Sequence, residues 1–285
     1  MKIPARLAVA LLGAFGLAAP AVSQQLTNAQ REAAVEFTLN NTWHVMLHEI
    51  GHLFVDQFQL PVLGKEEDAV DALATLIILE EDGLNAQTIL ADTIDGWLYA
   101  ERERPTRGYT NSDFYGEHSL DIQRSFSLAC LMVGSDFDAY TRHATRVGLP
   151  IDRQISCADD FELASRSWKQ VLAPHKRVDA YGAKVEVEYL HHDREYEDIV
   201  HILKQSRILE RAADWVTKTH VIVEPVLITA EHCGEVNAFF IPSDQHIMLC
   251  YEWAGHFYDM FVETIMPERE HFANMARLKR EKMAR

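Results

Sequence analysis

The sequence predicts a predominantly helical α+β fold with a small antiparallel sheet or hairpin near its C-terminus. Three observations carry this. Apolar residues recur at helical spacing through most of the chain, as at Val70, Leu73, Leu76 and Ile77. Two short β-branched and aromatic runs flank a Pro-Ser-Asp-Gln turn near residue 243. The 285 residues are 48% apolar and 9% aromatic, a globular and not a disordered composition.

The elements run in order along the chain. Lys2 and Arg6, the apolar run Leu7 to Ala19 and the small residues Ala21-Val22-Ser23 have the form of an export signal over residues 1–23. That run is about 13 residues, short of the about 20 that span a bilayer, so no stable membrane anchor is expected. Residues 24–285 are then one domain. Gln25 to Phe58 reads as one or two helices, with a possible break at Asn40-Asn41-Thr42. Leu60 to Gly64 is a loop and Glu66 to Leu79 a helix. Glu101 to Ser112, with Pro105 and Gly108, reads as a loop. Leu120 to Val133 and Phe161 to Leu172 read as helices, and Val185 to Val187 as a short strand. Tyr196 to Lys218 reads as one amphipathic helix. Val221 to Ile228 reads as a strand, which Pro225 would confine to a sheet edge. Asn237 to Ile241 and His246 to Tyr251 form the hairpin. Trp253 to Ile265 and Glu268 to Lys282 close the chain as helix.

A formal net charge of −16 excludes a nucleic-acid binder and a protein held to anionic lipid, which need a basic surface. Removing the leader deepens the negative charge by two. In an oxidising compartment the four cysteines suggest two disulfides. Three connectivities exist, and chain order favours Cys130 with Cys157 and Cys233 with Cys250. No C-x-x-C pair points to a cysteine metal site.

The chemistry is concentrated at His48-Glu49-Ile50-Gly51-His52, an HExxH motif. Residues four apart on a helix share a face, about 6 Å apart along the axis. Two imidazoles can then bind one zinc ion, with Glu49 reaching a water as general base. Fourteen histidines make the motif alone only a hypothesis. Trp43, Met46, Leu47, Ile50, Leu53 and Phe54 strengthen it, because they place the histidines at the edge of a packed interior.

A catalytic zinc takes three protein ligands and keeps a position for water. Glu67 and Asp71, four apart on the next helix, supply an E-x-x-x-D pattern. HExxH followed by this pattern resembles the gluzincin metallopeptidases, including the thermolysin-like enzymes. The resemblance implies that Glu67 is the third zinc ligand and that Asp71 hydrogen-bonds and orients His48. The segment between His52 and Glu67 is shorter than in thermolysin-like enzymes. Glu66 is the competing ligand. It lies about 100° around the helix from Glu67, so at most one of the two faces the metal. Both also suit the acidic first turn of a helix.

Over nearly all of its length after the leader, the chain resembles a family of bacterial metallopeptidases known by domain and without a defined function. The resemblance rests on Met46 to His52, Leu60 to Ala69, Glu117 to Asp121, Cys130 to Asp136, Ser167-Trp168, and Cys233 to Phe239 followed by Cys250-Tyr251-Glu252. It implies zinc, peptide hydrolysis and a zincin-like active-site helix. His118 and Tyr115 are candidates for the donor that stabilises the tetrahedral oxyanion. His44, one turn before His48, borders the same stripe. His191-His192-Asp193 reads as a surface patch. The hairpin is expected near the zinc, lending an edge to an extended peptide substrate.

The resulting expectation is an exported peptidase with one Zn2+, His48, His52 and Glu67 as ligands, and Glu49 and His118 as catalytic groups. The oligomeric state is left open. The first rival is a non-catalytic, zinc-stabilised secreted binding protein. The second is an inhibitor or chaperone-like module in which HExxH is accidental.

Overall fold

The computed structural model describes residues 26–103, 108–178 and 182–283. The expected export signal over residues 1–23 lies outside them. The expected fold class holds: helices dominate, and a small sheet sits toward the C-terminus.

The long first helix, α1 (Asn28–Gln57), is the centre of the molecule. A reciprocal cap starts it: the Thr27 hydroxyl accepts from the Gln30 amide at 3.2 Å, and the Gln30 side chain accepts from the Thr27 amide at 2.8 Å. From Asn41 to Gly51 every residue is buried, the signature of a helix wrapped on all sides. The expected break at 40–42 is absent, because the polar side chains there find partners without leaving the helix. Asn41 Nδ2 donates to the Phe37 carbonyl at 2.9 Å and Thr42 to the Thr38 carbonyl at 2.8 Å. Asn40 Nδ2 donates to Asp92 Oδ2 at 2.8 Å.

Around α1 pack α2 (Glu66–Glu81), α3 (Ala86–Glu103) and, beyond the short α4 (Asn111–Tyr115), the layer of α5 (Asp121–Ser135), α6 (Phe137–Arg146) and α7 (Ile151–Leu172). The loop expected from Glu101 starts later, because α3 runs on to Glu103. α7 begins ten residues before its expected start, and its exposed Ile151 and Ile155 blur the apolar period there. The Cys130–Cys157 disulfide ties α5 to α7.

The sheet has the order β1-β2-β4-β3, from β1 (Val185–Tyr189), β2 (Val226–Glu231), β3 (Ala238–Ile241) and β4 (His246–Cys250). β3 and β4 form the expected antiparallel hairpin, and β1 and β2 extend it in parallel. The β1–β2 crossover carries α8 (Glu197–Ser206) and α9 (Ile208–Thr219). These replace the single helix expected over 196–218, since Arg207 takes a left-handed conformation with φ 55°. β2 begins just after Pro225 and lies inside the sheet between β1 and β4, so the edge position expected for it is not found; the edges are β1 and β3. α10 (Tyr251–Met260) leads through one π turn into α11 (Met266–Met283).

Two contacts set the walls around the histidine motif. The hairpin turn is bound to the last turn of α1: Gln245 Nε2 donates to Asp56 Oδ2 and Gln57 Nε2 to Gln245 Oε1, each at 2.7 Å. α1 and α2 meet at Gly51, where an added Cβ would lie 2.7 Å from Val70 Cβ. Gly51→Ala should therefore cost about 1–3 kcal/mol in denaturant unfolding, and Val70→Ala in the same chain should recover only part of it, because it removes the Cγ1 contact at 2.8 Å and leaves the Cβ contact. An unchanged midpoint for the single variant would mean that the helices do not meet this closely.

Candidate metal centre

Because α1 is buried all round near its middle, His48 and Glu49 are buried and His52 is mostly so. The one-turn separation brings His48 Nε2 to 3.2 Å from His52 Nε2, with the ring planes 78° apart. α2, pressed against α1 at Gly51, supplies three carboxylates. Asp71 Oδ1 accepts from His48 Nδ1 at 2.7 Å, and Glu66 Oε1 lies 2.8 Å from His52 Nδ1. A ring whose Nδ1–H is held by a carboxylate turns its Nε2 lone pair the other way. Both Nε2 atoms therefore converge on Glu67 Oε2, at 3.1 Å from His48 and 3.4 Å from His52. The two neighbouring glutamates divide along the 100° between them: Glu67 meets the inward nitrogens and Glu66 braces His52 from outside.

This donor set suits one small cation. Tetrahedral zinc with bonds of about 2.0–2.1 Å places its ligand atoms about 3.3 Å apart. The three pairwise distances among His48 Nε2, His52 Nε2 and Glu67 Oε2 are 3.2, 3.1 and 3.4 Å. Two imidazole nitrogens and a carboxylate oxygen are also what zinc accepts.

A third wall adds His118. Its Nε2 is 2.9 Å from Glu67 Oε2, and its ring lies within 15° of parallel to that of His48. The loop that carries it is pinned by Lys65, whose ammonium donates to the carbonyl oxygens of Gly116 and His118 at 3.2 and 3.4 Å. Between these walls opens a cleft of about 850 Å³ lined by His48, Glu49, His52, Glu67, Tyr115 and His118 on one side. The edge strand β3 lines the other through Ala238, Phe239 and Phe240. His44 is buried one turn away and does not line the cleft. Burial pushes its pKa down to about 3, so it is a neutral core residue at ordinary pH.

The same contacts set the electrostatics of the site without an ion, and binding an ion at His48 Nε2 would displace a proton. Burial raises the Glu49 carboxyl above its ordinary range, the direction a general base near neutral pH needs. Burial also acts to raise Glu67 and Asp71, but their partners win. Hydrogen bonds from His118, His48 and His52 hold Glu67 far below the usual carboxylate range. The charges of Arg124 and His48 do the same for Asp71. For His48, burial works to lower the pKa, and the charge and hydrogen bond of Asp71 outweigh it and raise it to about 9.

Two residues at the site escape sequence reasoning. Arg124, buried in the first turn of α5, donates to both oxygens of Asp71 at 2.7 Å. Its guanidinium sits over the Trp97 ring, 3.7 Å from the centroid. The available signal was a charged residue one turn before Leu128, in the apolar stripe that continues through Leu131 and Met132. Lys65, at the junction between the loop ending at Gly64 and the helix from Glu66, offered none. The second disulfide, Cys233–Cys250, closes the hairpin, and Glu252 accepts from the Cys233 amide beside it at 3.2 Å.

A family profile described as "Putative metallopeptidase" (DUF4344) matches residues 17–172 and 190–280. No curated protein and no solved structure matches the chain. The profile spans most of the sequence, including the helices that build the His–Glu cluster and the hairpin that faces it, and the chain belongs to this metallopeptidase family.

Proposed function

We propose that the protein is an exported, zinc-dependent peptidase acting on extended peptide or protein substrates. One observation carries this reading. Two imidazole nitrogens and a carboxylate oxygen converge within 3.4 Å beside a buried glutamate, in a cleft bounded by a free sheet edge. Two disulfides support export, because such bonds persist in oxidising compartments. Among the described residues no helix is long and apolar enough to cross a membrane.

In this reading His48, His52 and Glu67 hold one zinc ion. The ion, when bound, polarises the scissile carbonyl and makes a water acidic enough to attack near neutral pH. Glu49 takes the proton from the attacking water and passes it to the departing amine nitrogen. His118 donates from Nε2 to the carbonyl oxygen as it gains negative charge. β3 binds the substrate backbone as an added strand, with Phe239 and Phe240 beside its side chains.

The closeness of His118 Nε2 to Glu67 Oε2 also fits a second reading, in which His118 is a fourth ligand and the centre is closed and structural. Two measurements decide. Equilibrium dialysis should find one zinc per chain in the wild type and in Glu49→Gln, and none in His48→Ala. Glu49→Gln should lose about 10²–10⁴-fold in kcat on a peptide library, and equal rates for the two proteins would contradict the peptidase reading. His118→Ala should keep near wild-type zinc affinity and lose about 10²–10³-fold in kcat. Loss of the zinc itself in that variant would favour the closed centre.

A further inference from the structure

Hydrolysis by this route uses no group beyond Asp71, yet the chain of contacts continues behind it. Asp71 Oδ1 is shared between His48 Nδ1 and Arg124 Nη2, both at 2.7 Å, and Oδ2 takes Arg124 Nε at 2.7 Å. Arg124 Cζ in turn lies over the Trp97 ring, 3.7 Å from its centroid. Four helices are thereby linked: α3 through Trp97, α5 through Arg124, α2 through Asp71 and α1 through His48.

A carboxylate turns readily about its last bond, so a single hydrogen bond from an imidazole does not fix its plane. A two-pronged guanidinium does, because both oxygens are then held in the plane of the fork. A fork has the same freedom unless its own plane is set, and an aromatic face beneath it sets it. The buried Arg124 charge also compensates the Asp71 carboxylate, which the interior would otherwise disfavour.

We propose that Arg124 is a positioning residue of the metal centre: backed by the Trp97 ring, it fixes the Asp71 carboxylate so that His48 presents Nε2 to the ion. The role rests on the zinc-peptidase reading of the site. It makes the fork, and not the charge alone, the feature that matters. Lysine supplies the charge without the plane.

The test uses Arg124→Lys and Trp97→Leu in the full chain, with melting of the metal-free proteins as the control for folding. Arg124→Lys should weaken zinc about 10- to 100-fold in chelator competition and shift the visible absorption of the cobalt-substituted protein. Trp97→Leu should move both in the same direction by less, with Asp71 and Arg124 intact. In metal-free wild type, the His48 Nδ1 proton should give a slowly exchanging downfield NMR resonance, which Arg124→Lys broadens or moves. Zinc affinity within twofold of wild type, with that resonance unmoved, would reduce Arg124 to a packing residue. Should the wild type bind no zinc, the zinc reading falls, and the metal-free resonance still decides whether Arg124 orients His48.

Discussion

The buried carboxylate of Asp71 is the contact on which the centre depends. A charge in the interior is tolerated only with full compensation, and removing one partner of such a pair costs about 3–5 kcal/mol. Asp71 meets that demand with His48 from α1 and Arg124 from α5. One side chain on α2 therefore sets the distance and rotation of two other helices. Where Asp71 sits, Glu67 lies one turn earlier on the same face and reaches the inward nitrogens of both histidines. Gly51 makes this possible, since any larger residue there would push Val70, and α2 with it, away from the motif.

The rest of the cleft is brought to this helix pair by ties from distant parts of the chain. Lys65 sits just before α2 and holds the His118 loop by its carbonyl oxygens. Gln57 and Asp56, at the end of α1, hold Gln245 in the hairpin turn. Gln57 Oε1 also accepts from the amides of Val223 and Glu224, ahead of β2. The helix that carries the HExxH motif thus also anchors the sheet. β3 is left as an edge strand beside the histidines, the edge to which the proposed function assigns the substrate.

Much of this was legible in the sequence because it rests on spacing within one element. The four-residue intervals His48–His52 and Glu67–Asp71 determine shared helix faces, and the structure brings those four side chains together. The 100° offset between Glu66 and Glu67 settled that they face different ways, but not that Glu66 braces the other histidine. What stayed hidden depends on which elements pack together. Arg124 reads as one charge in an apolar helix until α5 lies on α2. Lys65 reads as a polar junction ahead of α2 until the 116–118 carbonyls arrive. Asn41 and Thr42 look like helix breakers because their partners, the backbone and α3, are invisible to a local reading. Arg207, with its left-handed backbone, carries no glycine or proline to announce the turn between α8 and α9. β2 moved from edge to interior because Pro225 falls just outside the strand.

The proposed function requires one zinc ion on His48, His52 and Glu67, open to the cleft that Glu49 faces. X-ray absorption at the zinc edge of the loaded protein reads this out at the ion itself. The expected spectrum shows two imidazole nitrogens and carboxylate oxygen at about 2.0–2.1 Å, an exchangeable oxygen from solvent, and loss of this signature in Glu67→Ala. Sulfur ligation, or a spectrum that Glu67→Ala leaves unchanged, would place the ion elsewhere and contradict the proposed centre.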